Sequence, residues 1–105
     1  MARALTQQPR VLLMDEPTAH LDLGNRGRLL EIMRSLVAQS VTLVLTTHDP
    51  NIAAAVANYV VLMRQGQILN AGQTEDMLTS DELSATYGLH VEVFLVEGKR
   101  VVLLP

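Results

Sequence analysis

The stretch "VLLMDEPTAHLD", Val11 to Asp22, sets two adjacent carboxylates, Asp15 and Glu16, directly after four apolar residues and before a proline. A second stretch, Val41 to Leu45, is rich in β-branched residues, reads as another buried strand and ends at Thr46, Thr47 and His48. Runs without polar alternation have the pattern of strands covered on both faces in a parallel sheet. Four such residues could equally belong to a buried helix, but the flanking Pro9 and Pro17 favour the strand. Parallel strands present their ligand chemistry at their carboxyl ends, where Asp15, Glu16 and His48 emerge side by side if the two strands are neighbours. An apolar strand ending in an acid is a natural Mg2+ position, because a hard cation takes oxygen ligands and can be held through its waters by one carboxylate. The second acid is then free to orient or deprotonate a water. Isolated, an Asp-Glu pair reads better as a solvated turn, and His48 as a loop histidine beside a helix cap.

The elements that must position these groups follow from periodicity and punctuation. Between Asn25 and Gln39, Leu29, Leu30, Ile32, Met33, Leu36 and Val37 fall at helical spacing while Arg28, Glu31 and Arg34 take the other face. Asp49 can cap a helix with Pro50 at its first position, running through Asn51 to Ala57. Tyr59 to Met63 and Gln67 to Ala71 flank Arg64, Gln65 and Gly66, a hairpin in which glycine supplies the positive φ. Short helices are expected over Thr74 to Leu78 and Ser80 to Tyr87, the second with Thr79 and Glu82 at capping-box spacing. Two last strands, Val91 to Val96 and Arg100 to Leu104, join through Glu97, Gly98 and Lys99, and Met1 to Leu5 reads as the end of a helix. The order β-α-β-α-β, then a hairpin and a small α+β tail, implies a parallel α/β core.

Composition limits the alternatives. At 105 residues and 49% hydrophobic the chain has material for one small domain. A net charge of −3 with eight scattered basic residues argues against nucleic acid or an acidic membrane as the main partner. With no cysteine there is neither a disulfide framework nor a thiolate metal site. No apolar run reaches the roughly 18 residues a bilayer span needs, and "MARALTQQPR" lacks a signal-peptide core, so a soluble, intracellular protein is expected. The five methionines mostly fall on expected core faces and suggest no cofactor box.

D-E-P-T-x-x-L-D after an apolar strand, followed by a strand ending Thr-Thr-His-Asp, closely resembles the Walker B segment, D-loop and switch histidine of the ATP-binding cassette (ABC) ATPases. "MARAL" resembles the helix after the family's signature loop, and "RQGQILNAG" its late hairpin. The resemblance implies a partial P-loop NTPase core with ATP and Mg2+ as cofactors. Carried over residue by residue, Asp15 is the Walker B acid near Mg2+, and Glu16 the catalytic carboxylate that polarises the attacking water. His48 is the switch that contacts the γ-phosphate, and Asp22 belongs to the D-loop that reaches the partner's nucleotide. These are roles suited to phosphoryl transfer, which is mostly positioning and charge neutralisation. His20 then reads as a D-loop spacer, and His90 as an exposed or core histidine on the tail.

The phosphate cradle is not in this stretch. The only lysine, Lys99, follows Gly98, but Val93 stands at the first glycine position of G-x-x-x-x-G-K-[ST] and Arg100 at the hydroxyl position. The signature motif, the glutamine loop and the adenine-stacking aromatic are missing too. The resemblance is therefore to the C-terminal part of a cassette, over residues 1–105, and the isolated piece is expected to lack ATPase activity. In the family the P-loop strand lies between the His48-bearing strand and the Tyr59 to Met63 strand, so the sheet has a gap whose edges invite self-association.

The tail "LSATYGLHVEVF" with "VVLLP" resembles ATPase subunits of importers for iron-siderophore, haem and cobalamin. That resemblance implies a second ATPase copy and a transmembrane permease as partners, no nucleic acid, and a peripheral location on the inner face of the cell membrane. Two rival readings remain: a piece of a soluble, non-transport ABC ATPase acting in translation or DNA maintenance, and a non-catalytic interaction fragment.

Overall fold

The structure, a computed structural model, describes residues 10–103. The expected helix at Met1 to Leu5 and the last residue of the final strand, Leu104, lie outside the described residues. Two compact units divide between His48 and Asp49.

The first unit is built from β1 (Arg10–Asp15), α1 (Leu23–Ala38) and β2 (Val41–Thr46). The apolar runs do form strands, and β1 pairs with β2 in parallel from Arg10↔Val41 to Asp15↔Thr46. Helix α1 is the crossover that such a parallel pair requires, and it packs on β2. Met33 of α1 is fully buried, Val41 is 6% exposed, and Thr18 of the intervening loop is 5% exposed. The expectation that both strands are covered on both faces is not met. Val11, Leu13 and Val44 stand 64%, 73% and 51% exposed. A two-stranded sheet carrying one helix has one face to cover, and among the described residues no second layer lies over the other.

The second unit closes better. Helix α2 (Pro50–Val56) starts as expected at Asp49, whose carboxylate accepts from Asn51 N–H at 2.9 Å, with Pro50 at the first position. Strands β3 (Tyr59–Arg64) and β4 (Gln67–Gln73) form an antiparallel hairpin with a register shift after Leu62. Its turn residues Gln65 (φ 53°) and Gly66 (φ 77°) are both left-handed, the backbone of the turn that matches strand twist. Helices α3 (Thr74–Met77) and α4 (Ser80–Tyr87) follow, then β5 (Glu92–Val96) and β6 (Lys99–Leu103), an antiparallel pair. Val60, Leu62, Met77, Leu78, Leu83, Val91 and Val102 form the core, with Ala53, Ala54, Ala57 and Val93 against it. Met33 and Met77 are core residues as expected, whereas Met63 points outward at 55% exposure.

Side chains replace missing strand partners throughout this unit. Ser84 Oγ accepts from Val91 N–H at 2.9 Å and donates to the Val91 carbonyl at 3.3 Å, and Ser80 Oγ accepts from Val93 N–H at 3.0 Å. On the other edge of the same hairpin, the Asn51 amide accepts from Val102 N–H at 2.8 Å and donates to the Val102 carbonyl at 3.2 Å. The buried Thr74 hydroxyl donates to the Ala57 carbonyl at 2.7 Å. The capping box is half formed. Thr79 accepts from Glu82 N–H at 3.2 Å, but the Glu82 carboxylate takes the Asn70 amide at 3.0 Å instead of returning to the cap.

Three sheets of two strands each result among the described residues, β1–β2, β3–β4 and β5–β6. No helix of the described residues is long and apolar enough to cross a membrane.

Gly88 ends α4 at φ 73°, and a Cβ there would lie 2.6 Å from the Arg64 guanidinium, which itself donates to the Ala85 carbonyl at 3.3 Å. Gly88→Ala is therefore expected to destabilise the second unit by about 2 kcal/mol in urea denaturation, from left-handed strain plus displacement of Arg64. Gly27, inside α1, has open space where its Cβ would be, and Gly27→Ala is expected to stabilise the first unit by about 0.5–1 kcal/mol. Burial, and then the Asp49 carboxylate, push the Tyr87 hydroxyl above its ordinary value. The folded state thus favours the neutral phenol. Its contribution is complete below the unfolded value near pH ~10 and is lost as pH rises from there through the higher folded value. In Tyr87→Phe this alkaline fall in stability should disappear.

Candidate active site

Asp15 ends β1 and Thr46 ends β2, directly opposite each other in the parallel register. The Thr46 hydroxyl donates to Asp15 Oδ1 and accepts from the backbone N–H of Glu16 at 3.1 Å. The same N–H reaches the Thr46 carbonyl at 3.0 Å. One threonine thus fixes the carboxylate of the first acid and the backbone of the second.

Glu16 sits at φ 44°, a left-handed conformation that costs a non-glycine residue about 1 kcal/mol. That reversal turns the chain off the strand, so the two neighbouring carboxylates do not follow ordinary strand alternation. The Glu16 side chain meets His48, two residues beyond the end of β2, with Nε2–Oε1 at 2.8 Å. His48 is 94% exposed and Glu16 38% at the side chain. So solvent-open a pair contributes little to stability, and its arrangement is accessible to a ligand arriving from solvent.

The chain then makes a compact turn, with Ala19 N–H bonded to the Glu16 carbonyl at 3.1 Å and Leu21 N–H to the Thr18 carbonyl at 3.3 Å. His20, at φ 67°, is exposed within it. His90 lies in the tail, exposed, with Nε2 2.7 Å from Glu92 Oε1.

Asp22 is committed locally. Its carboxylate caps α1, Oδ1 accepting from Asn25 N–H at 2.8 Å and Oδ2 from the Asn25 amide at 3.4 Å, while its carbonyl takes Arg26 N–H at 2.9 Å. The structure brings Asp15, Glu16 and His48 together as expected from their spacing and gives Asp22 a helix-capping function. Thr46 is the residue that the motif reading passed over. Its signal was present in the sequence, a hydroxyl directly after the Val41 to Leu45 stretch, but its meaning depends on the pairing register.

The donor set bears on a cation. Among the described residues no group of three or more His, Cys, Asp or Glu side chains could form a metal cage. One carboxylate with a hydroxyl beside it instead fits a hard cation that keeps its waters and takes its remaining oxygens from a phosphate ligand.

Because Asp22 caps α1, Asp22→Ala is expected to cost about 1 kcal/mol in the stability of the first unit, with Asp22→Asn near neutral. Thermal unfolding followed by circular dichroism reads the difference.

Residues 2–54, which carry Asp15, Glu16 and His48, match a family model described as "AAA domain, putative AbiEii toxin, Type IV TA system". The hemin import ATP-binding protein HmuV of Rhodococcus jostii is 39% identical over 89% of this chain and 32% of its own length. The cobalt import ATP-binding protein CbiO of Rhodobacter capsulatus is 43% identical over 85% of this chain and 32% of its length. A solved metal-chelate type ABC transporter in an inward-facing conformation superposes with a TM-score of 0.77 at 32% identity, over 89% of this chain and 38% of that one. The chain spans about a third of the length of these curated relatives. With the Asp-Glu pair at the end of a parallel strand, the histidine beside it and these likenesses in sequence and structure, the chain belongs to the ATP-binding cassette (ABC) family of ATP-binding proteins.

Proposed function

We propose that the chain is the C-terminal portion of an ATP-hydrolysing subunit that powers an importer of metal chelates, of the iron-siderophore, haem or cobalamin class. The observation that carries this reading is the Thr46 hydroxyl between Asp15 and Glu16, with His48 2.8 Å from the Glu16 carboxylate. Asp15 would hold Mg2+ through its carboxylate, which when bound would neutralise charge on the phosphates. Glu16, steered by its left-handed backbone, accepts a hydrogen bond from the attacking water and aims it at the terminal phosphate. His48, which meets Glu16 through Nε2, would turn that N–H to the γ-phosphate of a bound nucleotide. Asp22 caps α1 here, and its turn is the segment that reaches a second copy's nucleotide in the D-loop role.

The partners in this reading are a second ATPase copy and a permease, which hold the subunit on the inner face of the membrane. The relatives named for haem and cobalt import support the importer class, as does the molybdate import protein MolC of Haemophilus influenzae, 39% identical over 85% of this chain. The apolar surface of β1 and β2 supports the placement within a larger cassette. Val11, Leu13 and Val44 are the residues that further layers of such a domain cover. Alone, the chain binds no ATP tightly, since nothing in it matches a phosphate cradle, and it self-associates through its open strands.

The direct test exchanges this chain for the matching segment of the Rhodococcus jostii relative. The chimaera is expected to hydrolyse ATP. Glu16→Gln should abolish turnover with ATP binding retained, and Thr46→Val should lower kcat by about 10–100-fold while Thr46→Ser stays near the parent. Full turnover in Glu16→Gln would contradict the assignment. The isolated chain should show no micromolar ATP affinity in isothermal titration with or without Mg2+, and light scattering should give a mass above that of the monomer.

A further inference from the structure

The β5–β6 hairpin packs on the core through Val93 and Val102, with Leu95 on the same side left open, and turns its other face to solvent. The outward face consists of three cross-strand pairs in order, Glu92↔Leu103, Phe94↔Val101 and Val96↔Lys99. Three of its four apolar members are open, with Phe94 46%, Val96 52% and Leu103 51% exposed, and Val101 is half-buried. Part of each edge of the same hairpin is already bonded. Ser84 and Ser80 occupy the backbone groups of Val91 and Val93, and Asn51 occupies both backbone groups of Val102. The outward face offers a partner more surface than these partly occupied edges.

Charge placement selects the occupant. Glu92 and Lys99 lie at diagonally opposite corners, on different strands, with apolar residues along the other diagonal. A face with opposite charges at opposite corners is complementary to itself under a two-fold axis drawn across the charged diagonal. Each Glu92 then meets the second copy's Lys99 and each Lys99 the second copy's Glu92, with Phe94 and Val101 near the axis. The ~6.8 Å spacing of same-face residues and the ~4.8 Å strand separation tilt that diagonal by about 20°, so the stacked hairpins cross at about 40°. The backbone bonds of Val91 and Val93 point away from β6, which fixes the hand of this crossing. It has the same sense as the roughly 30° crossing that sheet twist favours in face-to-face packing. Glu92 also holds His90 at 2.7 Å, which keeps its carboxylate on this side.

We propose that the outward face of the β5–β6 hairpin is an isologous docking surface for a second copy of this chain, closed by reciprocal Glu92–Lys99 pairs. The contact requires no nucleotide and is separate from self-association through the open strands of the first unit. Six residues a side make a small interface, so the association is concentration-dependent.

The chain contains no cysteine, which makes the test clean. Val101→Cys, close to the two-fold axis, is expected to be linked into dimers by a short bismaleimide. Adding Glu92→Lys or Lys99→Glu alone should lower linking about tenfold, since each places like charges together twice. Both changes in one chain, or an equimolar mixture of the two single variants, should restore it. Sedimentation equilibrium of the same charge variants without the cysteine repeats the comparison should Val101→Cys fold poorly. Linking that ignores both single reversals, or fails to return in the mixture, would overturn the proposal. Absence of linking in every variant, the result if another part of a longer cassette covered the face, would overturn it equally.

Discussion

The site depends on one register. Because β1 and β2 run parallel with Asp15 opposite Thr46, a single hydroxyl can donate to the first acid and accept from the backbone of the second. A slip of one residue would send every side chain of a strand to the other face, removing the hydroxyl from Asp15 and carrying His48 away from Glu16. The left-handed Glu16 is tolerated because its N–H is claimed twice by Thr46. Strain at one residue is thereby held by bonds that the neighbouring strand supplies, an arrangement found where geometry serves chemistry.

The two units meet the demand for burial differently. The second surrounds an apolar cluster and bonds part of its strand edges with Ser80, Ser84 and Asn51. The first carries its chemistry on two strands whose apolar side chains remain largely open. That contrast agrees with a chain spanning about a third of its relatives. The second unit has its own apolar centre although the outer faces of its hairpins stay open, whereas the segment with the acids buries little beyond Met33 and Val41.

Much of this was legible in the sequence. Both apolar runs, the amphipathic helix after Asp22, the Asp49-Pro50 helix start and the Gly66 turn all appear close to where residue types placed them. Local chemistry decides each of them: a cap, a fixed φ, a glycine. The clustering of Asp15, Glu16 and His48 was legible because strand ends in a parallel pair leave few other places for them. What could not be read was set by tertiary context. Strand composition predicts burial on both faces only if the covering layers are there, and for Val11, Leu13 and Val44 none is among the described residues. The function of Thr46 needed the register, and Glu82 found Asn70 on a neighbouring hairpin instead of closing its capping box. The Asp22 carboxylate is a helix cap that the motif pattern alone does not distinguish from a nucleotide contact.

The most direct measurement of this account is hydrogen exchange at the Glu16 amide. The residue lies in a partly open turn, yet its N–H donates to both the carbonyl and the hydroxyl of Thr46. The account predicts slow exchange in the parent chain, partial loss of protection in Thr46→Val, where only the carbonyl acceptor remains, and recovery in Thr46→Ser. Exchange at the rate of an unbonded amide in the parent chain would show that Thr46 does not hold Glu16, and the arrangement of the two acids would lose its physical basis.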